Sequence, residues 1–221
     1  MANREPLVEG EWYHCFNRGV DKRKVFQTRA DYERFISLMY ICNNTQNKSV
    51  SSRRDTRLRS ILSDASIRRE PIVQIAAYAL MPNHVHFIFH EIKKGGIAQF
   101  MQRVFTGYTM YFNKKNERAG ALFAGAFKSK HIPDDDYFKH VMAYVLLNPA
   151  DLFFPNWKEK GTVNGLEKAL NEYPYASTFD FFGASRPEGK IVDFLKEEFY
   201  NEPPSLQRLL EDFQDGENVA R

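Results

Sequence analysis

The sequence predicts an α+β fold: an antiparallel sheet with helices packed on it, followed by a helical and loop-rich C-terminal extension. Three observations predict it. Some short segments rich in β-branched and aromatic residues alternate in polarity, while others repeat apolar residues every three or four positions. These segments run in the order strand, helix, strand, strand, helix, strand, helix. Hydrophobic residues make up 43% of the 221 positions and aromatics 14%, enough to bury a core of ordinary size.

The first strand is EWYHCFN (residues 11–17), closed by Arg18-Gly19 as a turn. A helix begins at Asp31, where Tyr32, Phe35, Ile36, Met39 and Tyr40 recur at helical spacing. From Asn43 to Glu70 the chain turns polar and arginine-rich, reading as an exposed insertion with a short helix around Leu58 to Leu62. Ile72 to Leu80 and Asn83 to His90 are the next two strands, separated by Met81-Pro82, where a proline interrupts ladder pairing. Gly95-Gly96 opens an amphipathic helix with Ile97, Phe100, Met101, Val104, Phe105, Tyr108, Tyr111 and Phe112 along one stripe. A fourth strand is expected over Leu122 to Ile132. Pro133 and Asp134 to Asp136 start a helix that runs to Asn148 and is stopped by Pro149. This order is that of ferredoxin-like, RRM-like folds. Beyond Asp151 the chain is expected to be loop-rich, with weaker helices near Ile191–Tyr200 and Ser205–Phe213.

Charge divides the chain in the same place. Residues 1–150 hold 23 Lys and Arg against 14 Asp and Glu, and all six histidines; residues 151–221 hold 8 against 14. We read residues 1–150 as one basic domain with an insertion at about 43–70, and residues 151–221 as an acidic extension packed on it or trailing from it. A basic body fits a polyanionic partner as well as an ordinary solvated surface. The N-terminal stretch has no apolar signal core, no segment approaches the length of a membrane span, and Cys15 and Cys42 form no metal-binding or disulfide pattern. The expectation is a cytoplasmic protein with no membrane partner.

Chemistry concentrates in MPNHVHFIFH, residues 81–90. Strand side chains alternate, so His84, His86 and His90 share a face while Val85, Phe87 and Phe89 point into a core. Imidazoles two positions apart can grip one metal ion, although strand histidines are also commonly satisfied by hydrogen bonds. Tyr144 and Asn148 lie four residues apart, one above the other on a helix. A tyrosine can attack phosphorus where positive charge favours its ionisation, and an asparagine carbonyl one turn away can complete an N,N,O site suited to Mg²⁺ or Mn²⁺. Read structurally, the same two residues are a core tyrosine and a helix-end cap.

Five ordered segments bear on that choice. MPNHVHFIFH resembles the HUH motif of the single-tyrosine HUH transposases, in particular the REP-associated tyrosine transposases. FNRGVDKRKVFQTRADYERF is similar to that family's opening strand-turn-helix, AGALFAGAFKSKHI to its G-x-L-F-x-G-x-F-K-S segment, YVLLNPADL to its Y-I-x-x-N-P-x-R-A helix end, and YPYASTFDFFG to its Y-P-W-S-S segment. The resemblance spans roughly residues 11–183 and implies an HUH nuclease fold. It implies His84, His86 and Asn148 as ligands of Mg²⁺ or Mn²⁺, and Tyr144 as the nucleophile that opens single-stranded or hairpin DNA through a 5′-phosphotyrosine. Lys128, Lys130 and the Lys114, Lys115 and Arg118 cluster would hold the DNA backbone. Two departures remove charge: Ala124-Gly125-Ala126 stands where the family has Q-G-R, and Ala150-Asp151-Leu152 lacks the arginine of N-P-x-R-A.

The remaining candidates rank lower. Tyr137 is the rival nucleophile, His90 lies too far along its strand for the ligand set, Tyr108 and Tyr111 belong to the core, and His14 and His131 are structural. Three functions follow: a DNA transposase, a non-catalytic DNA-binding protein derived from one, or an RNA-binding protein, which the lack of an RRM-type aromatic signature disfavours. A single tyrosine per chain acts in a monomer or a homodimer.

Overall fold

The computed structural model describes residues 6–46, 57–64, 67, 70–160, 164–182, 185–193 and 204–219. Arg53, Arg54, Arg68 and Arg69 of the polar insertion and most of the helix expected over Ile191–Tyr200 lie outside them. Four strands, β1 (Trp12–Arg18), β2 (Gln74–Met81), β3 (His84–His90) and β4 (Lys128–Ile132), form one sheet in the order β2-β3-β1-β4. Every neighbouring pair is antiparallel. The histidine strand is therefore interior, and its register sets Phe16 opposite His86 and Arg18 opposite His84.

One face is covered by α1 (Arg29–Cys42), α2 (Leu58–Ser63) and α3 (Gly96–Lys115). Tyr13, Cys15, Val85, Phe87 and Phe89 meet Phe35, Met39, Phe100, Val104 and Tyr108 there in a dry core. Asp31 fastens this layer. Burial opposes its ionisation, but Lys115 Nζ at 2.6 Å and the backbone N–H groups of Gln27 and Thr28 hold its carboxyl below the usual range. At the start of α3, the buried Glu91 carboxylate accepts from the N–H groups of Gly95 (2.6 Å) and Ile97 (2.8 Å), an anion at the positive end of a helix. The second glycine of that pair is required, because a Cβ on Gly96 would collide with the Ile72 carbonyl.

The other face is covered by α4 (Asp135–Leu147), which packs Phe138, Met142, Val145 and Leu146 with Ala77, Ala79, Ile88 and Ile132. Asp134 caps it by accepting from Tyr137 N at 2.8 Å. Pro149 ends the α-helical ladder, but the chain continues as a 3₁₀ turn over Asn148–Leu152. The fourth strand is shorter than expected. Gly120 and Gly125 adopt positive φ (86° and 76°), so residues 121–127 loop and meet β1 and the turn after it through the Gly19–Phe123 bridge, the Ala124 N–H on Arg18 O and the Asn17 side chain on Gly125 O.

The extension is more helical than its sequence implied, with α5 (Trp157–Lys160), α6 (Leu166–Asn171), α7 (Thr178–Phe181) and α8 (Leu206–Val219). It closes the outer edge of β2, where Leu80 N donates to Tyr175 O, Ser177 N to Tyr78 O and Asp193 N to Ile75 O. Arg186 locks this segment by donating to both Asp180 carboxylate oxygens and to Ala176 O. Among the described residues, no helix is long and apolar enough to cross a membrane.

Candidate active site

The two histidines nearest the β2–β3 turn stand with ring centroids 5.0 Å apart and planes at 88°. Each has one ring nitrogen engaged. His84 Nδ1 meets Asn83 Oδ1 at 2.6 Å, so it carries its proton there and keeps a lone pair on Nε2. His86 Nδ1 meets His14 Nε2 at 2.9 Å, which frees His86 Nε2 in the same way when His86 is the donor. Burial is the main cause that lowers the pKa of both rings, and Arg18 acts with it on His84. Both are neutral at neutral pH, the state in which imidazole offers a lone pair. His90 is turned to other work: it bonds Gln74 Oε1 and stacks on Trp12.

Helix α4 crosses this face so that Tyr144 lies edge-on to both His86 (5.4 Å) and His14 (5.7 Å). Burial, and then Asp151, raise the Tyr144 pKa, while the Asn148 side chain opposes the rise. Asn148 also acts on His84. Only 3% exposed, it nevertheless leaves its Oδ1 without a hydrogen-bond donor. A buried carbonyl oxygen left so is costly, and one beside the His84 imidazole fits a cation ligand. Tyr137 lies against His140 instead, away from the β3 histidines. Tyr108 is buried and donates to Val25 O, and Tyr111 is half-buried and donates to Asp31.

Three neighbours were not picked out in the sequence as parts of this site. His14 was read as structural, yet strand parity already placed it on the face of Phe16 and Trp12, and the β1–β3 pairing brings it to His86. Lys158 holds its ammonium 5.5 Å from the Tyr144 ring centroid and 3.3 Å from Asp151. Phe213 of α8 stacks on the outer side of Tyr144 at 6.4 Å. The last two come from the extension, where no sequence signal tied them to the histidines.

The basic residues separate into two groups. Lys128 and Lys130 are exposed on β4, opposite Phe16 and His14, and so share the histidine face. Lys114 and Lys115 end α3 in the other layer, and Arg118 follows in the loop beyond it. There Lys115 is held by Asp31 and Thr28, and Arg118 donates to Asn113 and Ala121 O. Among the described residues, no three His, Cys, Asp or Glu side chains converge as a metal-binding group.

Residues 32–147 match the family model described as "Transposase IS200 like". No curated protein matches the chain. Among solved structures, that of a REP-associated tyrosine transposase bound to a REP hairpin matches over 88% of this chain and 94% of that one, with 13% identity and a TM-score of 0.48.

Proposed function

The chain belongs to the IS200-like transposase family, and from that premise we propose that it cuts and rejoins single-stranded, hairpin-bearing DNA, with Tyr144 as nucleophile. One observation carries the reading: Tyr144 meets His86 at a site where the buried Oδ1 of Asn148 lacks a donor. His84, His86 and Asn148 fit a divalent ion, as two neutral imidazoles and one such carbonyl, and would hold Mg²⁺ or Mn²⁺. When bound, that ion supplies Lewis-acid charge to a phosphate oxygen.

The chain's own residues do the rest. His14 and Asn83 fix the tautomers and orientation of the two imidazoles. Lys128 and Lys130 hold the strand by its phosphates along the same sheet face. Tyr144 Oη forms a bond to phosphorus as the bond to the 3′ oxygen breaks. The phenolic proton passes to water, and the leaving oxygen takes one up to become a 3′-hydroxyl. A 3′-hydroxyl from another strand end reverses these events, returns the proton to Tyr144 and conserves the energy of the phosphodiester bond.

Incubation with a labelled single-stranded hairpin and Mn²⁺ is expected to yield an SDS-resistant protein–DNA adduct. The adduct should vanish in Tyr144→Phe and persist in Tyr137→Phe. Persistence in Tyr144→Phe would remove Tyr144 as nucleophile. Tight binding with no adduct in the unmodified protein would instead favour a non-catalytic DNA-binding protein.

A further inference from the structure

Lys158 stands out among the cations of the molecule. It comes from a one-turn helix in the acidic extension, outside the residues that match the family. Its ammonium stops 5.5 Å from the Tyr144 ring centroid and 5.7 Å from that of Trp157. Its field reaches both His84 and His86. Its partner, Asp151, is fixed independently by Trp157 Nε1 at 2.8 Å, so the carboxylate stays in place whether or not the lysine does. Asp151 lies three residues past Asn148 and acts on both His84 and Tyr144. A carboxylate there repels a phosphodiester approaching Tyr144 unless a cation cancels it.

Resting on Tyr144 as the nucleophile, we propose that Lys158 is a further substrate-binding residue of this site: it cancels Asp151 in the free protein and transfers to a phosphate oxygen of the DNA strand beside Tyr144. The pair is suited to such an exchange. Its side chains are 34% and 44% exposed and 3.3 Å apart, an ion pair shared with water and held weakly. The ammonium has three donors, of which Asp151 uses one, and its flexible stem allows it to turn without moving the backbone.

Two measurements test this. In the first, binding of a labelled single strand to Tyr144→Phe protein is followed as salt rises, with and without Lys158→Ala. Loss of one phosphate contact is expected to lower the slope of log affinity against log salt by about 0.7. Lys168→Ala, at an exposed position of α6, should leave the slope unchanged. Adding Asp151→Asn to Lys158→Ala should restore part of the affinity, because the uncompensated carboxylate is gone, but none of the slope. In the second, adduct formation by Lys158→Ala should show a raised KM that Lys158→Arg largely rescues. An unchanged slope and KM in Lys158→Ala would overturn the proposal, and so would a loss of affinity that Asp151→Asn fails to relieve. The slope does not depend on Tyr144 chemistry. If the unmodified protein forms no adduct but Lys158→Ala still lowers the slope, the nucleophile assignment falls and the phosphate contact stands.

Discussion

At the scale of single residues, the hydrogen bond between His14 and His86 couples the site to pH. Burial, with the nearby charge of Lys130, lowers the His14 pKa to about 4, against 6.5 for a free imidazole. Between those two values an unfolded chain binds a proton that the folded one refuses. Stability is therefore full above about pH 6.5, falls as pH drops towards 4, and levels off below. The span corresponds to at most about 3 kcal/mol from this residue, and His84 and His86 add to it in the same direction. His14→Gln keeps a partner for His86 Nδ1 but does not titrate. Its thermal midpoint should fall less between pH 7 and 4.5 than that of the unmodified protein, and it should form more DNA adduct than His14→Leu. Equal pH dependence of the two midpoints would show that His14 is not the buried neutral base described here. Which residues were legible beforehand follows from the same geometry. His84 with His86, and Tyr144 with Asn148, announce themselves because each pair sits within one element and obeys its period. His14, Asp151 and Lys158 reach the site through strand register and extension packing, which no local spacing encodes.

At the scale of elements, α8 shows a helix chosen by its contact rather than by propensity. The sequence implied a helix over Ser205–Phe213; the helix runs on through Gly216, a residue that weakens helix interiors by roughly 0.5–1 kcal/mol relative to alanine. The reason is His140 on α4. A Cβ on Gly216 would collide with the His140 imidazole, while His140 Nδ1 meets the carbonyls of Asp212 and Phe213 at 3.4 and 3.1 Å. The same docking brings Phe213 onto Tyr144 and Trp157. On an isolated helix Gly216→Ala would be stabilising. Here the collision should dominate and cost about 1–3 kcal/mol. The expected readouts are a lower thermal midpoint and loss of hydrogen-exchange protection across α8, with recovery when His140→Ala is added. A raised midpoint in Gly216→Ala alone would mean that α8 does not seat on His140. The fourth strand missed its expected length for a related reason. Leu122, Phe123 and Phe127 suit a strand, but the left-handed Gly120 and Gly125 turn the backbone away from β1 before Lys128.

At the scale of the whole molecule, neither the charge boundary at residue 150 nor the end of the family match at residue 147 coincides with a boundary in the packing. The core on the histidine side of the sheet joins Met142, Val145 and Leu146 of α4 to Trp157, Leu166, Leu170, Phe181, Leu209 and Phe213 of the extension. The extension also pairs with the outer edge of β2, and Thr178 donates to the Leu146 carbonyl at 2.6 Å. Cutting the chain after residue 150 thus does two things at once. It bares an apolar helix face, and it leaves the N–H and C=O groups of an edge strand open to another chain. The shortened protein should associate rather than remain a monomer, eluting early in size-exclusion chromatography, binding hydrophobic dyes and melting without a cooperative transition. A monomeric, cooperatively folded 1–150 fragment would show instead that the acidic extension is an accessory to a self-sufficient sheet. The expected failure has a functional corollary. Because Lys158 and Phe213 reach Tyr144 from beyond the matched region, the environment of the proposed nucleophile is set by the extension as much as by the sheet that carries the histidines.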